Sequence, residues 1–563
     1  MIKTTGPTRT ERDALKFVPL GGLEEIGRNC MFFEYKDEIV LVDAGLQFPE
    51  ETTPGIDYII PNVSYLQPKK ENVKALILTH GHYDHIGAIP YILEKLGNPT
   101  IYCAAITAGI VKKRQEDFRN APKPRIEIVK DGDTVKLGRH LEVKFFTVSH
   151  TIPDDIGIIL KTPVGTMVHF PDFKFDYDKD GKPIGLEAYS EIGKLGVHTL
   201  FMDSTNAEEE GFSLSERIVE KNIEELIKKA EGRVIVATFG SLITRLGEII
   251  KIGQRLHRKV FVSGYSMKSN IQIAQNLGYL KFEKGTILPI EEVGKHKDDK
   301  ILVLCTGAQG EPNATLMKIV TGAHKYLHLK PGDTILFSSS IIPGNERGVQ
   351  VMKDDFARKG AKVFQSKHMD IHSSGHAPKE ELKEIVRRVK PKFLVPVHGY
   401  YFMRAANKVN AIEVGMKPEQ VILMDNGQVA EITKDALRVS DKTVEASYVM
   451  VDGLGVGDVE QVVLRDRIVL AQEGMVVMIT TIDKTTGRIL KNPDIISRGF
   501  IYLKEHHEVL DEIRRRIRNI LGRIPRQEAQ PEYVKSLLRD QIGQYLYNRT
   551  HRRPMILPVL IEV

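Results

Sequence analysis

The segment VKALILTHGHYDHIGA, residues 73–88, constrains the fold of this chain more than any other. An apolar run of strand length comes first, and the pattern His-x-His-x-Asp-His follows at once, from His80 to His85. Imidazoles packed this closely repel one another when protonated, so the pattern is typical of metal binding. The sequence therefore predicts a strand that carries a metal-binding loop at its C-terminal end. The next segment, IGAIPYILEKLG, has the spacing of a helix.

Other apolar segments of strand length also end in ligand-type residues. LEVKFFTVSH ends at His150, GTMVHFPD ends at Asp172, TLFMDSTN contains Asp203 and FLVPVHGYY contains His398. Ligand sites favour the C-terminal ends of strands in α/β sheets, which favours an α/β fold in which these ends meet. From the residues alone, a metal ligand and a turn-capping residue are both open for Asp172 and His398.

The histidine-rich run can supply two adjacent metal ions. His80 and His82 can face one ion, while Asp84 and His85 face the other. Neutral imidazole and carboxylate suit Zn²⁺, with Mn²⁺ as an alternative. Two ions need further ligands, and a carboxylate such as Asp172 can bridge them. A hydroxide shared between two such ions is a strong nucleophile at neutral pH.

Composition bounds the class of protein. A chain of 563 residues predicts two to four domains. We find no apolar run of membrane-spanning length and no apolar leader in MIKTTGPTRTERDALKF, so neither a membrane partner nor secretion is expected. Three well-separated cysteines argue against a disulfide framework and favour a reducing cytoplasm. A net charge of +6 is only a mild lean towards anionic partners.

From about residue 208 the pattern becomes an alternation of helix and strand. The amphipathic LSERIVEKNIEELIKKAEG is followed by VIVATFGS, KVFVSGYS, SNIQIAQNLGYL, ILVLCTGAQGEP and TILFSSSIIPGNE. This alternation predicts a parallel α/β domain. The glycine-rich VDGLGVGD predicts a linker, and the last hundred or so residues predict a smaller α/β unit.

These motifs together resemble a known family. Asp43, the run from His80 to His85, His150, Asp172 and His398 stand in the order of the metallo-β-lactamase fold. The insert and the later SSGHA and PVHG segments are similar to the β-CASP subgroup, whose members are nucleases. Segments from about residue 16 to the C-terminus resemble ribonuclease J, among them GGLEEIGRN, LTHGHYDHIGAIPY, DFKFD, DSTNAEEEGFSLSE, HSSGHA, PVHGYY and RRPMILPV.

The resemblance implies an α/β architecture in three parts. These are a metallo-β-lactamase αββα sandwich, an inserted β-CASP parallel α/β domain and a small C-terminal α/β domain. The predicted boundaries are an N-terminal tail at 1–14, the sandwich at 15–207 and 369–440, the β-CASP domain at 208–368, a linker at 441–458 and the C-terminal domain at 459–563.

The resemblance also implies two Zn²⁺ ions per chain, with Mn²⁺ or Mg²⁺ as alternative activators. The implied ligands are His80, His82 and His150 for one ion, Asp84, His85 and His398 for the other, and Asp172 as the bridge. Asp43 would orient a ligand histidine through its other nitrogen. The implied catalytic residues are Asp84, Asp203 and His376, and His376 would protonate the leaving 3′-oxygen or stabilise the charged phosphorane.

In the resembled family the insert covers the metal site, and a pocket for a 5′-monophosphate sets the first phosphodiester against the metals. The implied phosphate-binding residues are Ser241, Leu242, Ile243, His372, Ser373, Ser374, Gly375 and His376. Hydroxyls, imidazole and backbone N–H groups around a glycine can surround a phosphate. From the residues alone, a turn-capping role stays open for each of the serines.

The chain departs from the family pattern at three places. In the first, glycine replaces the common alanine at 240, and residues 242–245 read Leu-Ile-Thr-Arg instead of Asn-Ile-His-Arg. In the others, 169–172 read His-Phe-Pro-Asp instead of His-Thr-Gly-Asp, and Tyr400 follows PVHG instead of glutamate. All metal ligands are kept. The altered segment 239–245 bears on how the 5′ end is read.

The implied activity is that of a zinc-dependent ribonuclease, a phosphodiester hydrolase in mRNA decay and rRNA processing. It would degrade 5′-monophosphorylated single-stranded RNA from 5′ to 3′ and also cut internally, through a hydroxide activated by two metals. The alternative is a β-CASP endonuclease without 5′-end dependence. A thioester or lactam hydrolase on the same core and a non-catalytic RNA-binding scaffold are further alternatives.

The resemblance implies further partners besides RNA. The C-terminal domain would support a homodimer or homotetramer, and RNA-decay complex partners are expected. Its helix EVLDEIRRRIRNILGRI has an apolar stripe at Val509, Ile513, Ile517, Ile520 and Leu521. The arginines of this helix could form a solvated face or contact RNA backbone, and both interpretations stay open.

Overall fold

The computed structural model describes residues 13–49, 52–311, 314–342, 344–453, 455–457, 461–486, 488–501, 507–524 and 530–563. Residues 1–12 of the predicted N-terminal tail lie outside the described residues. The chain divides into two compact units, one with Ile59–Val449 and the chain before Phe48, the other with Phe48–Tyr58 and Met450–Val563. In the part of the chain that is described, no helix is both long and apolar enough to span a membrane.

The N-terminal part of the chain is mostly strand. Its elements are β1 (Leu15–Gly21), β2 (Cys30–Tyr35), β3 (Glu38–Val42), β4 (Tyr58–Ile60), β5 (Val73–Ile77), α1 (Tyr83–Ile86), α2 (Ile89–Ile92), β6 (Thr100–Cys103), α3 (Ala105–Gln115), β7 (Arg125–Ile128), β8 (Thr134–Leu137), β9 (Leu141–Val148), β10 (Asp155–Thr162), β11 (Gly165–Phe170), α4 (Leu186–Gly193) and β12 (Val197–Asp203).

Helices and strands alternate in the middle of the chain. They are α5 (Glu216–Lys229), β13 (Val234–Ala237), α6 (Ile243–Arg255), β14 (Lys259–Ser263), α7 (Tyr265–Asn276), β15 (Ile287–Leu288), β16 (Ile301–Cys305), α8 (Thr315–Thr321), β17 (Thr334–Phe337), α9 (Glu346–Arg358) and β18 (Lys362–Gln365). After them come α10 (Lys379–Val389), β19 (Phe393–Val397), α11 (Tyr401–Glu413), β20 (Gln428–Ile432) and β21 (Leu437–Thr443).

Two sheets face each other as a sandwich. The first has the strand order β21-β20-β1-β2-β3-β5-β6-β7 and the second β19-β12-β11-β10-β9-β8. Phe33 and Ile77 of the first sheet share one buried core with Phe145 and Phe201 of the second. Helices α4, α10 and α11 cover the outer face of the second sheet, and α3 packs against β7 of the first. The predicted αββα sandwich is thus confirmed.

The strand directions bring the predicted site residues together. Strands β9, β11, β12 and β19 all run the same way, because β10 pairs antiparallel with both β9 and β11, and β11, β12 and β19 pair in parallel. In the first sheet, β3 and β5 are parallel. The C-terminal ends of the four strands of the second sheet therefore lie at one edge of that sheet.

The helical spacing after the histidine-rich run gives two single turns, α1 and α2, rather than one helix. Pro90 lacks an N–H group, so it cannot donate to the carbonyl of Ile86. The Ala88 N–H donates instead to the Ala44 carbonyl at 2.8 Å. This contact ties the loop back to the end of β3.

The inserted domain is a six-stranded sheet with the order β15-β14-β16-β13-β17-β18. Every pairing in it is parallel. Apolar strand residues such as Ile235 and Val303 form its core with Phe356 of α9. The predicted parallel α/β domain is confirmed, and the predicted boundaries at 208 and 368 fall between β12 and α5 and between β18 and α10.

The C-terminal elements are β22 (Val449–Asp452), β23 (Gly455–Val456), α12 (Gln461–Glu473), β24 (Met475–Ile482), β25 (Asp494–Arg498), α13 (His507–Arg523), α14 (Pro531–Thr550) and β26 (Met555–Glu562). Strands β22 and β23 pair antiparallel within the predicted linker, of which residues 454 and 458 lie outside the described part. The apolar stripe of α13 packs with α14 and the sheet β25-β24-β26. Arg515 and Arg516 both pair with Glu512, which favours the solvated-face interpretation.

Candidate active site

A first group of ligand atoms forms where β5, β9 and β11 end. His80 Nε2 lies 3.0 Å from His82 Nδ1, which lies 3.2 Å from His150 Nε2. Asp172 Oδ2 lies 3.7 Å from His80 Nε2. The four residues offer atoms that all lie within 4.8 Å of one another. The structure thus brings together the residues predicted to bind the first ion.

A second group lies directly beside the first and shares Asp172 with it. His85 Nε2 lies 3.2 Å from Asp172 Oδ2 and 3.4 Å from Asp84 Oδ2. His398 Nε2 lies 3.6 Å from the same Asp84 oxygen. Asp172 therefore offers its carboxylate to both candidate ligand groups.

Each candidate ligand histidine has a partner for its other ring nitrogen. The pairs are His80 Nδ1 with Thr79 Oγ1 (3.0 Å), His82 Nε2 with Thr151 Oγ1 (3.2 Å), His85 Nδ1 with Asp43 Oδ2 (2.8 Å), His150 Nδ1 with the Gly375 carbonyl (2.6 Å) and His398 Nδ1 with Thr205 Oγ1 (2.7 Å). Such partners fix the ring orientation and the tautomer. Asp43 thus lies against His85, and the three threonines were not among the residues predicted from the sequence.

Two residues of the centre hold an unusual backbone conformation. Asp43 has φ +62° and His398 has φ +52°. Few non-glycine residues adopt this left-handed region, although Asp and His are among those that tolerate it. Both follow the end of a strand. The surrounding structure holds both side chains in place at the cost of this strain.

The histidines of the first group are held neutral. Burial lowers the pKa of the His82 imidazole to about 4. Burial, followed by the neighbouring imidazoles, also holds the pKa values of His80 and His150 well below their ordinary value. Neutral imidazole is the form that binds a metal ion.

The second group favours positive charge. Burial opposes a charged imidazole at His398, but Asp172, Asp203 and Asp84 outweigh it and raise its pKa to about 10. Burial likewise opposes ionisation of Asp172, yet the pKa of this carboxyl is held well below its usual range by His398 and His85. The Asp172 carboxylate thus remains anionic and favours positive charge beside it.

The donor set fits divalent cations. Imidazole and carboxylate ligands suit Zn²⁺ and Mn²⁺. Among the described residues, Asp172 Oδ1 and His398 Nε2 are buried without a hydrogen-bond partner. Buried polar atoms of this kind are costly unless something else satisfies them, and a metal ion at each group would do so.

His376 and Asp203 form a pair next to the second group. His376 Nδ1 donates to Asp203 Oδ2 at 2.8 Å, and His376 Nε2 lies 3.9 Å from Asp172 Oδ2. The Asp203 side chain is buried, whereas that of His376 is 20% exposed. Burial opposes protonation of His376, but Asp203 and Asp172 outweigh it and raise its pKa. The imidazole therefore favours its protonated form, and its side chain remains partly exposed.

The loop 372–376 connects this pair to the first group. Ser374 Oγ accepts from Asn206 Nδ2 and from the His376 N–H, and Ser373 Oγ donates to the Leu214 carbonyl at 2.7 Å. An added Cβ at Gly375 would lie 2.4 Å from His150 Cε1. Only glycine lets the backbone approach the histidine this closely.

The segment 241–243 meets the same loop through Arg245. Arg245 Nη1 donates to His372 Nδ1 at 2.6 Å. Leu242 and Ile243 bury their side chains, whereas Ser241 is half-buried. Of the predicted phosphate-binding residues in this segment, Leu242 and Ile243 can therefore offer only backbone atoms to a phosphate.

An ionic network that contacts the loop 372–376 was not predicted from the sequence. Glu216 accepts from Arg245 Nη2 at 2.7 Å and from Lys174 Nζ at 2.6 Å. Lys174 Nζ also donates to Ser373 Oγ at 3.1 Å. The signal was present, because Lys174 stands in DFKFD and Glu216 ends SLSE. Two cations face one carboxylate, so the network keeps one positive charge.

The fold and this site define a metallo-β-lactamase-type hydrolase with a β-CASP insert. Family models match in four places: the Metallo-beta-lactamase superfamily at 23–163, Ribonuclease J, beta-CASP domain at 231–356, the Zn-dependent metallo-hydrolase RNA specificity domain at 367–413 and the Ribonuclease J C-terminal domain at 462–563.

Similar proteins match nearly the whole chain. Ribonuclease J 1 of Streptococcus pyogenes is 38% identical over 546 residues, 96% of each chain. Ribonuclease J2 of Bacillus subtilis is 35% identical over 551 residues, 98% of this chain and 99% of the relative. The chain belongs to the ribonuclease J family.

A solved structure shows the same fold. A protein of unknown function from Enterococcus faecalis matches with a TM-score of 0.55 and 15% identity, covering 74% of this chain and 100% of its own. Family membership makes the chain a metal-binding, RNA-binding nuclease. The alternatives of a thioester or lactam hydrolase and of a non-catalytic scaffold are thereby set aside.

Proposed function

We propose that the chain degrades 5′-monophosphorylated single-stranded RNA from 5′ to 3′ and also cuts it internally. Two Zn²⁺ ions would serve it, with Mn²⁺ or Mg²⁺ as alternative activators. The observation that carries this proposal is the pair of ligand groups that share Asp172 beside the loop 372–376. When bound, the two cations would activate the attacking water and neutralise charge on the phosphodiester.

The proposed division of ligands follows the two groups. His80, His82 and His150 would hold one ion, Asp84, His85 and His398 the other, and Asp172 would contact both. Because the second nitrogen of each ring has a partner, the ring orientations are set before an ion arrives. Asp43 does this for His85.

His376, Asp203 and Asp84 would move protons. Asp203 orients His376, whose raised pKa keeps a proton available for the leaving 3′-oxygen. Asp84 is 30% exposed, more than the other two carboxylates. Burial opposes its ionisation, but His85 and His398 hold its pKa well below the ordinary value. Among these carboxylates Asp84 is the most exposed, and we assign it to accept the proton of the attacking water.

The 5′-phosphate would lie between α6 and the loop 372–376. Helix α6 begins at Ile243 without a side-chain cap, and the positive end of its dipole there favours anions. Lys174 and Arg245 leave one positive charge behind the loop after pairing with Glu216. Ser241 and Ser374 would add hydroxyls, and the buried Leu242 only its backbone.

One observation favours the alternative, an endonuclease indifferent to the 5′ end. Ser373 and His372 already engage Leu214 and Arg245 within the chain. If these contacts persist with substrate, two expected phosphate partners are lost. The altered segment 239–245 lies at the same place.

The test compares RNAs of one sequence with a 5′-monophosphate, triphosphate or hydroxyl, labelled at the 5′ or 3′ end. Wild type is run beside His376→Gln and His82→Ala, with Zn²⁺ or Mn²⁺. The proposal expects immediate mononucleotide from the 5′ label of the monophosphorylated RNA only, lost in His82→Ala. His376→Gln is expected to be slower by about 10²- to 10⁴-fold. Internal fragments alone, regardless of the 5′ group, would establish the endonuclease instead.

Assembly and location are proposed on separate grounds. Leu557, Val559 and Ile561 on β26 are 40–44% exposed, which supports a homodimer or homotetramer through the C-terminal domain. Light scattering on Val559→Lys tests this, and an unchanged mass would contradict it. RNA-decay partners would join this assembly.

The proposed location is the cytoplasm. Three buried, free cysteines fit a reducing cytoplasm.

A further inference from the structure

Tyr83 stands between two candidate metal ligands, His82 and Asp84. Its ring is 37% exposed. The guanidinium carbon of Arg114 lies 4.6 Å from the ring centroid. Arg114 is itself buried and donates through Nε and Nη2 to the Gly87 carbonyl at 3.1 and 2.9 Å. A fixed cation therefore holds an accessible aromatic ring beside the metal centre.

A second ring continues this arrangement on the inserted domain. Arg114 follows Lys113 near the end of α3, and Lys113 Nζ lies 5.8 Å from the ring centroid of Tyr265. Tyr265 opens α7 and is 68% exposed. Lys113 also pairs with the exposed Glu116 at 2.6 Å. Rings and cations thus alternate from the histidine-rich loop across α3 to α7.

The contact between α3 and α7 makes this arrangement a fixed one. Gly109 of α3 faces Ile273 of α7, and an added Cβ would lie 2.5 Å from Ile273 Cγ2. The two helices therefore pack together at a glycine. Tyr83 and Tyr265 keep their spacing without any contact between the two rings themselves.

We propose that Tyr83 and Tyr265 are stacking platforms for successive bases of the single-stranded RNA that leads away from the metal centre. Tyr83 positions the nucleotide next to the scissile phosphodiester, and Tyr265 takes a base further along. Lys113 contacts the phosphate backbone between them. This inference rests on the proposed function for its substrate. Exposed rings interleaved with cations are the features that bind single strands without sequence preference.

The experiment measures the affinity of metal-loaded protein for 5′-monophosphorylated RNA in a His376→Gln background, which slows cleavage. Tyr265→Ala and Tyr83→Ala are each expected to weaken binding by about 5- to 100-fold. The Phe variants, which keep the ring, should bind within about twofold of the parent, the scale of a lost solvent-exposed hydrogen bond. Tyr533→Ala is the matched control, since Tyr533 is 50% exposed on α14.

RNAs with a single abasic position identify the stacked base. Removing the base that stacks on Tyr265 should weaken binding to the parent but not weaken binding to Tyr265→Ala any further. Removing the base nearer the cut, which stacks on Tyr83, should likewise weaken binding to the parent but not to Tyr83→Ala. Lys113→Ala should lower the slope of log affinity against log salt by about 0.7. These responses separate base stacking from a merely structural loss.

Two results would overturn the inference. One is parent-like affinity in both alanine variants, and the other is an abasic penalty that persists unchanged in them. Circular dichroism and the Phe variants identify a variant that simply fails to fold. Failure of the proposed function is distinguishable, because wild type would then leave RNA intact, whereas failure of the stacking platforms alone leaves wild-type cleavage in place.

Discussion

Asp43→Asn tests how the centre prepares His85 for a metal ion. Asp43 accepts from the Thr79 N–H and from His85 Nδ1, both at 2.8 Å. Asn tolerates the left-handed backbone of this position as well as Asp does, so the loop should keep its shape. The Asn amide oxygen can still accept from Thr79, but its NH₂ group then points at His85 Nδ1.

That exchange should move the proton on the His85 ring. An NH₂ group facing Nδ1 favours the tautomer with the proton on Nε2. His85 Nε2 is the nitrogen that faces Asp172 at 3.2 Å, and a protonated nitrogen cannot bind a cation. Replacing a carboxylate partner of this kind typically lowers metal affinity by about 10- to 100-fold, or about 1.4 to 2.7 kcal/mol.

Competition with a chromophoric zinc chelator measures the affinity, and native mass spectrometry counts the bound ions. Glu381→Gln is the matched control. Glu381 is buried and accepts from the Phe175 N–H at 2.7 Å and the Tyr177 hydroxyl at 2.8 Å. It should lower stability without lowering zinc affinity. Wild-type affinity in folded Asp43→Asn, or an equal loss in Glu381→Gln, would refute the reasoning.

Three more predictions follow from the same centre. Gly375→Ala should weaken zinc binding about tenfold or more, measured by calorimetry, because its Cβ would lie 2.4 Å from a ring carbon of His150. Asp172→Ala should lose both ions together in native mass spectrometry, since both ligand groups use it. The metal-free chain should be most stable near pH 6.5 in thermal unfolding, the ordinary pKa of an unfolded histidine. Below pH 6.5, unfolded His82 binds a proton that the folded state, with a pKa of about 4, does not bind, so stability falls as the pH is lowered. Above pH 6.5, folded His398 keeps a proton up to about pH 10 that the unfolded chain has released, so stability falls as the pH is raised.

Controls and contrary outcomes are available for each. At Gly294 an added Cβ meets nothing within 4 Å, so Gly294→Ala should bind zinc as wild type does. One ion retained by Asp172→Ala would contradict the shared carboxylate. His82→Gln should flatten the acid side of the stability profile and His398→Gln the alkaline side. A side that persists unchanged in its variant would show the titration to be wrongly assigned.

The fold was predictable because its signals are local. Short apolar segments that end in His80, His150 and Asp172 predict the strands that carry these residues. The alternation of helical and strand-like segments predicts the inserted α/β domain in the same way. The broken helix after the histidine-rich run was missed, although Pro90 marks it. The segment after the histidine-rich run keeps the residue spacing of a helix, although the bond from the Ala88 N–H to the Ala44 carbonyl divides it into two turns.

The partners of the metal-centre residues were less predictable for a different reason. Thr79 and Thr151 adjoin ligand histidines in sequence, but which ring nitrogen faces inward depends on rotamers that only packing sets. Lys174 and Glu216 stand in the motifs DFKFD and SLSE, but no local pattern shows that these two charges pair, because the segments are far apart in the chain. Burial decides what such charges do, and burial is a property of the whole fold.

The bond between His150 and the Gly375 carbonyl would couple the two proposed binding events, of cation and of RNA. His150 belongs to the first ligand group, and Gly375 belongs to the loop proposed to receive the RNA 5′ end. Any phosphate that shifts this loop must also change the hydrogen bond that orients the His150 imidazole. Reciprocity then requires that cation and RNA change each other's affinity by one common factor. An enzyme built this way would hold its metal with a different strength when it holds its substrate.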